Sequence, residues 1–173
     1  YCKHVVVGDY RGMADYAIIK LDRVVEGRKP LKLRKKGRVK NKTKLFALGH
    51  PSGLPLKYTD EAKVVTNSHR EFFSANLDTF QGNSGSPVFN AEDNVVEGIV
   101  VRGRTDYIDG EYDGLYCQKV NKCKDDGSEC EFDDEELEKY LKDVEKDHEQ
   151  DKDANYAISL KLHTKLVKTT NEE

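Results

Sequence analysis

Short runs of β-branched and aromatic residues, each closed by turn formers, dominate the first 103 residues. Val5-Val6-Val7, Ala17-Ile18-Ile19, Leu45-Phe46-Ala47-Leu48, Val64-Val65, Phe72-Phe73 and the stretch from Val95 to Val101 are such runs, and Gly, Pro, Asn or Asp bounds most of them. Branched and aromatic side chains suit a pleated surface, and the turn residues reverse the chain between runs. No helix-length segments alternate with the strands in a βαβ rhythm. The pattern predicts an all-β fold, an antiparallel sandwich or barrel.

A chain of 173 residues is long enough for one domain with a real core. With 36% hydrophobic and 35% charged residues it is heavily charged but not disordered throughout. A formal net charge of −3 gives no global attraction to nucleic acid, and no apolar run is long enough to predict a membrane span.

Two stretches break the strand pattern. Residues 23 to 44 are crowded with Lys and Arg, and residues 125 to 153 with Asp and Glu. The basic stretch has little aromatic interleaving on which bases would stack, so it is expected to be a solvated loop between strands. In the acidic stretch Leu137, Tyr140, Leu141 and Val144 form one apolar stripe at helical spacing, with Asp133 or Asp134 as N-cap. Order is expected to return at Tyr156-Ala157-Ile158-Ser159-Leu160, before a polar tail at 169–173.

Cys2, Cys117, Cys123 and Cys130 are the four cysteines, three of them within one polar segment. This clustering suits a disulfide staple in an oxidising compartment, so a secreted or periplasmic location is expected. No pair has CxxC spacing and no histidine completes a set, so no metal is expected. Four cysteines allow three pairings. Cys117, Cys123 and Cys130 are expected to staple the base of the acidic segment, with one of them free or joined to Cys2.

The strongest chemical signal is Gly82-Asn83-Ser84-Gly85-Ser86-Pro87, followed by the apolar Val88-Phe89. A serine hydroxyl becomes a nucleophile only when a base takes its proton and N–H groups face the developing oxyanion. Flanking glycines allow the sharp backbone turn that this needs. The motif is not the GxSxG elbow, because position 86 is Ser.

Thr79-Phe80-Gln81-Gly82-Asn83-Ser84-Gly85-Ser86-Pro87-Val88 resembles the nucleophile segment of trypsin-like serine peptidases, closest to the bacterial branch with the V8-type glutamyl endopeptidases. Ala14-Asp15-Tyr16-Ala17-Ile18-Ile19-Lys20-Leu21 resembles the segment that bears the triad aspartate. Gly49-His50-Pro51-Ser52-Gly53 resembles the opening of the second barrel, and Glu97 to Gly103 the strand on which a substrate backbone pairs. The resemblance spans residues 14 to 103 in the family's order.

The resemblance implies a serine endopeptidase acting through an acyl-enzyme, without metal or organic cofactor, on protein or peptide substrates. Ser84 would be the nucleophile, Asp15 the orienting acid, and the N–H groups of Gly82 and Ser84 the oxyanion hole. Residues 1–21 would be the remnant of a first barrel. Residues 22–168 would be the second barrel, with an inserted acidic loop and helix at about 104–155. His4, eleven residues before Asp15, is too close to be the triad base in this chain order, and His50, His69, His148 and His163 all follow Asp15. All five therefore read as ordinary polar or surface histidines. The chain begins at Tyr1 without a leader, so it reads as a fragment whose partner is its own missing N-terminal barrel. The alternative is an inactive homologue that binds peptide or protein. Asn83 stands where animal trypsins carry an aspartate that pairs with a new N-terminus, so that switch is expected to be absent. Asp78, Thr79, Gln81, Val100 and Gly103 would line the specificity pocket. Asp78 suits a substrate Arg or Lys. Thr79 is half of the pair that reads Glu in V8-type enzymes, and Val100 stands where the other half would be a histidine.

Overall fold

The computed structural model describes residues 2–9, 15–69, 71–125, 129–132 and 155–159. Six strands close into a barrel: β3 (Lys44–Gly49), β4 (Lys57–Thr66), β5 (Phe72–Ala75), β6 (Pro87–Asn90), β7 (Val96–Arg102) and β10 (Asn155–Ser159). Their order around the barrel is β10-β5-β4-β3-β6-β7, and every neighbouring pair is antiparallel. The fold is thus all-β, and of the two architectures that the pattern of short runs allows, sandwich or barrel, it is the barrel.

Alternation fixes which face is inside. In β3, Leu45, Ala47 and Gly49 are buried while Lys44 is exposed and Phe46 and Leu48 are half-buried. A period of two is what a strand with one core face requires. Leu45 and Ala47 meet Ala62 and Val64 of β4, Phe73 and Ala75 of β5, Val88 of β6 and Val100 of β7 in the core. The closing strand comes from far along the chain: β10 pairs Ala157 with Phe73 on one side and with Val100 on the other. It thereby covers both edges, which would otherwise carry rows of unpaired N–H and C=O groups.

Two hairpins stand apart from the barrel sheet. β1 (Cys2–Asp9) pairs with β2 (Tyr16–Leu21), Gly8 opposite Ala17. β8 (Tyr107–Tyr112) pairs with β9 (Leu115–Val120) through Asp113 and Gly114, at φ 52° and 73°. Two consecutive positive φ values define the type I′ turn that matches strand twist, and Asp-Gly is among its preferred sequences. The segment from 104 onward was expected to be an acidic loop with a helix; it begins instead as this hairpin, because local turn chemistry outweighs acidic composition. The helix expected over Leu137 to Val144 lies outside the described residues.

The basic stretch also departs from a plain solvated loop. Most of it is exposed, but Arg34 N–H donates to Val96 O at 3.0 Å and Val96 N–H to Lys32 O at 2.8 Å, making a short parallel bridge. The Arg34 guanidinium grips the carboxylate of Glu97, which is 1% exposed, and Asn90 Nδ2 donates to Glu97 Oε1 at 3.0 Å. A buried carboxylate needs such partners. Removing Arg34 leaves the charge uncompensated, so Arg34→Ala is expected to lower the unfolding free energy by about 3–5 kcal/mol. Urea denaturation measures this; a loss under about 1 kcal/mol would mean that Glu97 reaches water in the variant.

Candidate active site

The segment from Asn76 to Pro87 leaves β5 and re-enters the barrel as β6 through a series of tight turns. Asn83 N–H donates to Phe80 O at 3.0 Å and Ser86 N–H to Asn83 O at 2.8 Å. Gly82 and Gly85 lie at φ 97° and 81°, where a side chain would be strained. Ser84, between them, is exposed. Gly85 N–H donates to Val100 O at 2.7 Å, and Val100 N–H to Ser86 O at 2.9 Å. These two bonds continue the β6–β7 ladder past Pro87, so Ser84 stands just beyond the last residues fixed by the barrel.

The turn at 51–53, between β3 and β4, packs against this loop. A Cβ on Gly82 would lie 2.9 Å from His50 O and 3.0 Å from Ser52 N. A Cβ on Gly49 would lie 2.0 Å from Asn83 Oδ1 and 2.5 Å from Ser86 Oγ. Both positions admit only glycine, and Asn83 is buried in the space that Gly49 leaves.

The residues singled out in the sequence fall in several places. Gly82, Ser84 and Gly85 share one exposed turn. Among the described residues neither the Gly82 nor the Ser84 N–H makes a hydrogen bond. Asp15 is half-buried just before β2, and no hydrogen bond joins it to Ser84 or to a histidine among the described residues. His50 Nδ1 lies 3.2 Å from Leu54 O, and the His69 ring stacks on Phe72 at 3.9 Å. Asp78, exposed, and Thr79, buried, line a groove of about 790 Å³ that also takes in Tyr58 to Glu61, Arg104 to Asp106 and Val120 to Asp125. Gln81 and Gly103 are exposed and lie outside that lining. Val100 is 5% exposed, its side chain in the core and its N–H and C=O engaged with Ser86 and Gly85.

Two residues that sequence reasoning passed over, Asp106 and Tyr107, meet at this loop. Asp106 Oδ2 accepts from Gln81 N–H at 2.5 Å. Tyr107 stacks on Phe80 with ring centroids 5.6 Å apart, and its hydroxyl is 2.6 Å from Ser52 Oγ. Burial pushes the Asp106 carboxyl above the ordinary aspartate range. The Gln81 N–H pulls it back, and the negative charge of Asp78 pushes it further up. Below the hairpin, Asn121 is buried and donates to Thr105 O at 2.9 Å and Phe132 O at 2.8 Å. A Cys123–Cys130 disulfide closes the same region and Cys117 keeps a free thiol, one of the arrangements that the cysteine spacing left open.

A closed antiparallel barrel with an exposed, glycine-flanked serine on a loop tied to β7 defines a protein of the trypsin-like peptidase class. The chain belongs to that family: the model of the trypsin-like peptidase domain matches residues 2–99. No curated protein matches it significantly. Among solved structures it is similar to a serine-to-alanine mutant of Rv3671c from M. tuberculosis H37Rv in an inactive form, at 16% identity and a TM-score of 0.44, over 85% of this chain and 67% of that one. It is also similar to the inactive form of the Rv3671c protease, at 19% identity and a TM-score of 0.44, over 67% of this chain and 60% of that one. The chain therefore spans less than two thirds of the latter structure.

If Asp78 and Asp106 share the groove electrostatically, Asp78→Asn is expected to lower the Asp106 pKa, because it removes a neighbouring negative charge that disfavours ionisation. Carboxyl-carbon NMR titration reads this directly; an unchanged Asp106 midpoint would show that the two carboxylates do not interact.

Proposed function

We propose that this chain is the nucleophile-bearing part of a serine endopeptidase of the bacterial V8-like branch, secreted or periplasmic, whose catalytic histidine lies on a first barrel outside the chain. The observation that carries the reading is Ser84, exposed between two left-handed glycines and anchored to β7 through Gly85 and Ser86. In the proposed reaction Ser84 Oγ attacks the peptide carbonyl carbon as the imidazole takes its proton. The Gly82 and Ser84 N–H groups receive the carbonyl oxygen, and Asp15 orients the imidazole. The imidazolium then protonates the leaving amine, and water hydrolyses the acyl ester by the same route. His50 faces the Leu54 carbonyl and His69 stacks on Phe72, which supports a base supplied from elsewhere.

A fluorophosphonate probe tests this. Residues 1–173 alone are expected to label at Ser84 at least about 10³-fold more slowly than a longer protein that carries the histidine. In the longer protein Ser84→Ala should abolish both labelling and peptide cleavage. Rapid labelling of the isolated chain would refute the missing base, and peptide binding by the longer protein without labelling would favour an inactive, peptide-binding homologue.

The same reading assigns Asp78, exposed at the groove with Thr79 beside it, to a substrate Arg or Lys, while Gln81 and Gly103 lie outside the groove lining. A charge-assisted pair there would discriminate between substrates once the bound peptide covers it. A peptide library varied at the residue before the cut is expected to show an Arg/Lys preference that Asp78→Ser removes. An Arg preference surviving that change, or a Glu preference, would show that Asp78 does not read the substrate.

A further inference from the structure

Gln81, one residue before the proposed oxyanion donor, is held on both sides. Its N–H donates to Asp106 Oδ2 at 2.5 Å, and its carbonyl accepts from Ser52 N–H at 2.6 Å. No peptide bond among the described residues is cis, and in a trans unit the C=O and N–H point in opposite directions. Fixing the Gln81 carbonyl on Ser52 therefore aims the Gly82 N–H away from the 51–53 turn. We propose that Asp106, Tyr107 and Ser52 are positioning residues that orient the Gly82 N–H to receive the substrate oxyanion, an inference that rests on the peptidase reading above.

The clamp is a closed circuit. Tyr107, next to Asp106, packs its ring on Phe80 and brings its hydroxyl within 2.6 Å of Ser52 Oγ. Ser52 sits at φ 51°, in the left-handed region uncommon for a side-chain-bearing residue. Asp106 is itself fixed, because its carbonyl accepts from Asn121 N–H at 2.8 Å at the foot of the hairpin. Asn83 is buried and neutral, so no charge at position 83 is present to hold the turn by pairing with an ammonium group. Hydrogen bonds from the inserted hairpin take that place.

The test uses the longer, histidine-bearing protein for kinetics and the 173-residue chain for amide exchange. Removing an oxyanion donor costs about 10²–10³ in kcat, and Asp106→Ala misplaces one without deleting it, so a fall of about 10–100-fold is expected. KM should change little. Affinity for a peptidyl boronic acid, which mimics the tetrahedral intermediate, should fall in parallel with kcat/KM. Asp106→Asn, which keeps an acceptor oxygen, should recover most of the loss, and Tyr107→Phe should lose less than Asp106→Ala. In the 173-residue chain the Gln81 amide should exchange faster in Asp106→Ala. Unchanged exchange would show that the clamp is not made in solution. Faster exchange with unaltered kcat and boronate affinity would overturn the positioning role. Cleavage that survives Ser84→Ala would instead bring down the peptidase reading, and the proposal with it, whatever the exchange shows.

Discussion

Glu97 is the constraint around which the barrel is registered. A carboxylate this deeply buried is tolerated only with a counter-charge and hydrogen bonds, and it draws these from two other segments, Arg34 of the basic stretch and Asn90 at the end of β6. Its value lies less in net stability than in register. A one-residue slip of β7 would swing Glu97 out of its cage and turn Val100 away from the core. Three residues along the same strand, Val100 holds Gly85 and Ser86 by its own N–H and C=O. The charge at the start of β7 and the serine turn near its other end are thus aligned by one strand.

What could be read in the sequence follows from how local its causes are. β3, β5 and β7 are marked by branched and aromatic runs that fit a pleated strand buried on one or both faces, and the glycine-flanked Ser84 announces a turn by itself. The β8–β9 hairpin is equally local, signalled by Asp113-Gly114 between aromatic arms, but the charged residues around it mask the strand pattern. Arg34 could not have been distinguished from the cations beside it, because only the bridge between Leu33 and Val96 brings it opposite Glu97. Asp106 was hidden for the same reason: 25 residues separate it from Gln81, and its meaning comes from where the hairpin starts. Asp78 was legible as a carboxylate at a particular distance before the serine. That it shares a groove with Asp106 was not.

The two glycines at Gly49 and Gly82 explain how a neutral residue at position 83 is accommodated. An aspartate there would be a second buried carboxylate in need of a cation, whereas an asparagine needs only room and hydrogen-bonding partners. Gly49 provides the room, since any Cβ would collide with Asn83 Oδ1 and Ser86 Oγ. Gly82 lets the loop approach the backbone of His50 and Ser52 closely enough for the Ser52–Gln81 hydrogen bond. The barrel therefore meets the serine turn through backbone contact, which is short and directional, and without a long-range charge pair. Such a contact holds one face of the turn only. Its other face is open unless something beyond β7 covers it, and the segment that does so begins at Asp106. The hairpin that follows β7 thus reaches Gln81 through Asp106, and Asn121, bonded to the Asp106, Thr105 and Phe132 carbonyls, fixes its foot and keeps that reach from relaxing into solvent.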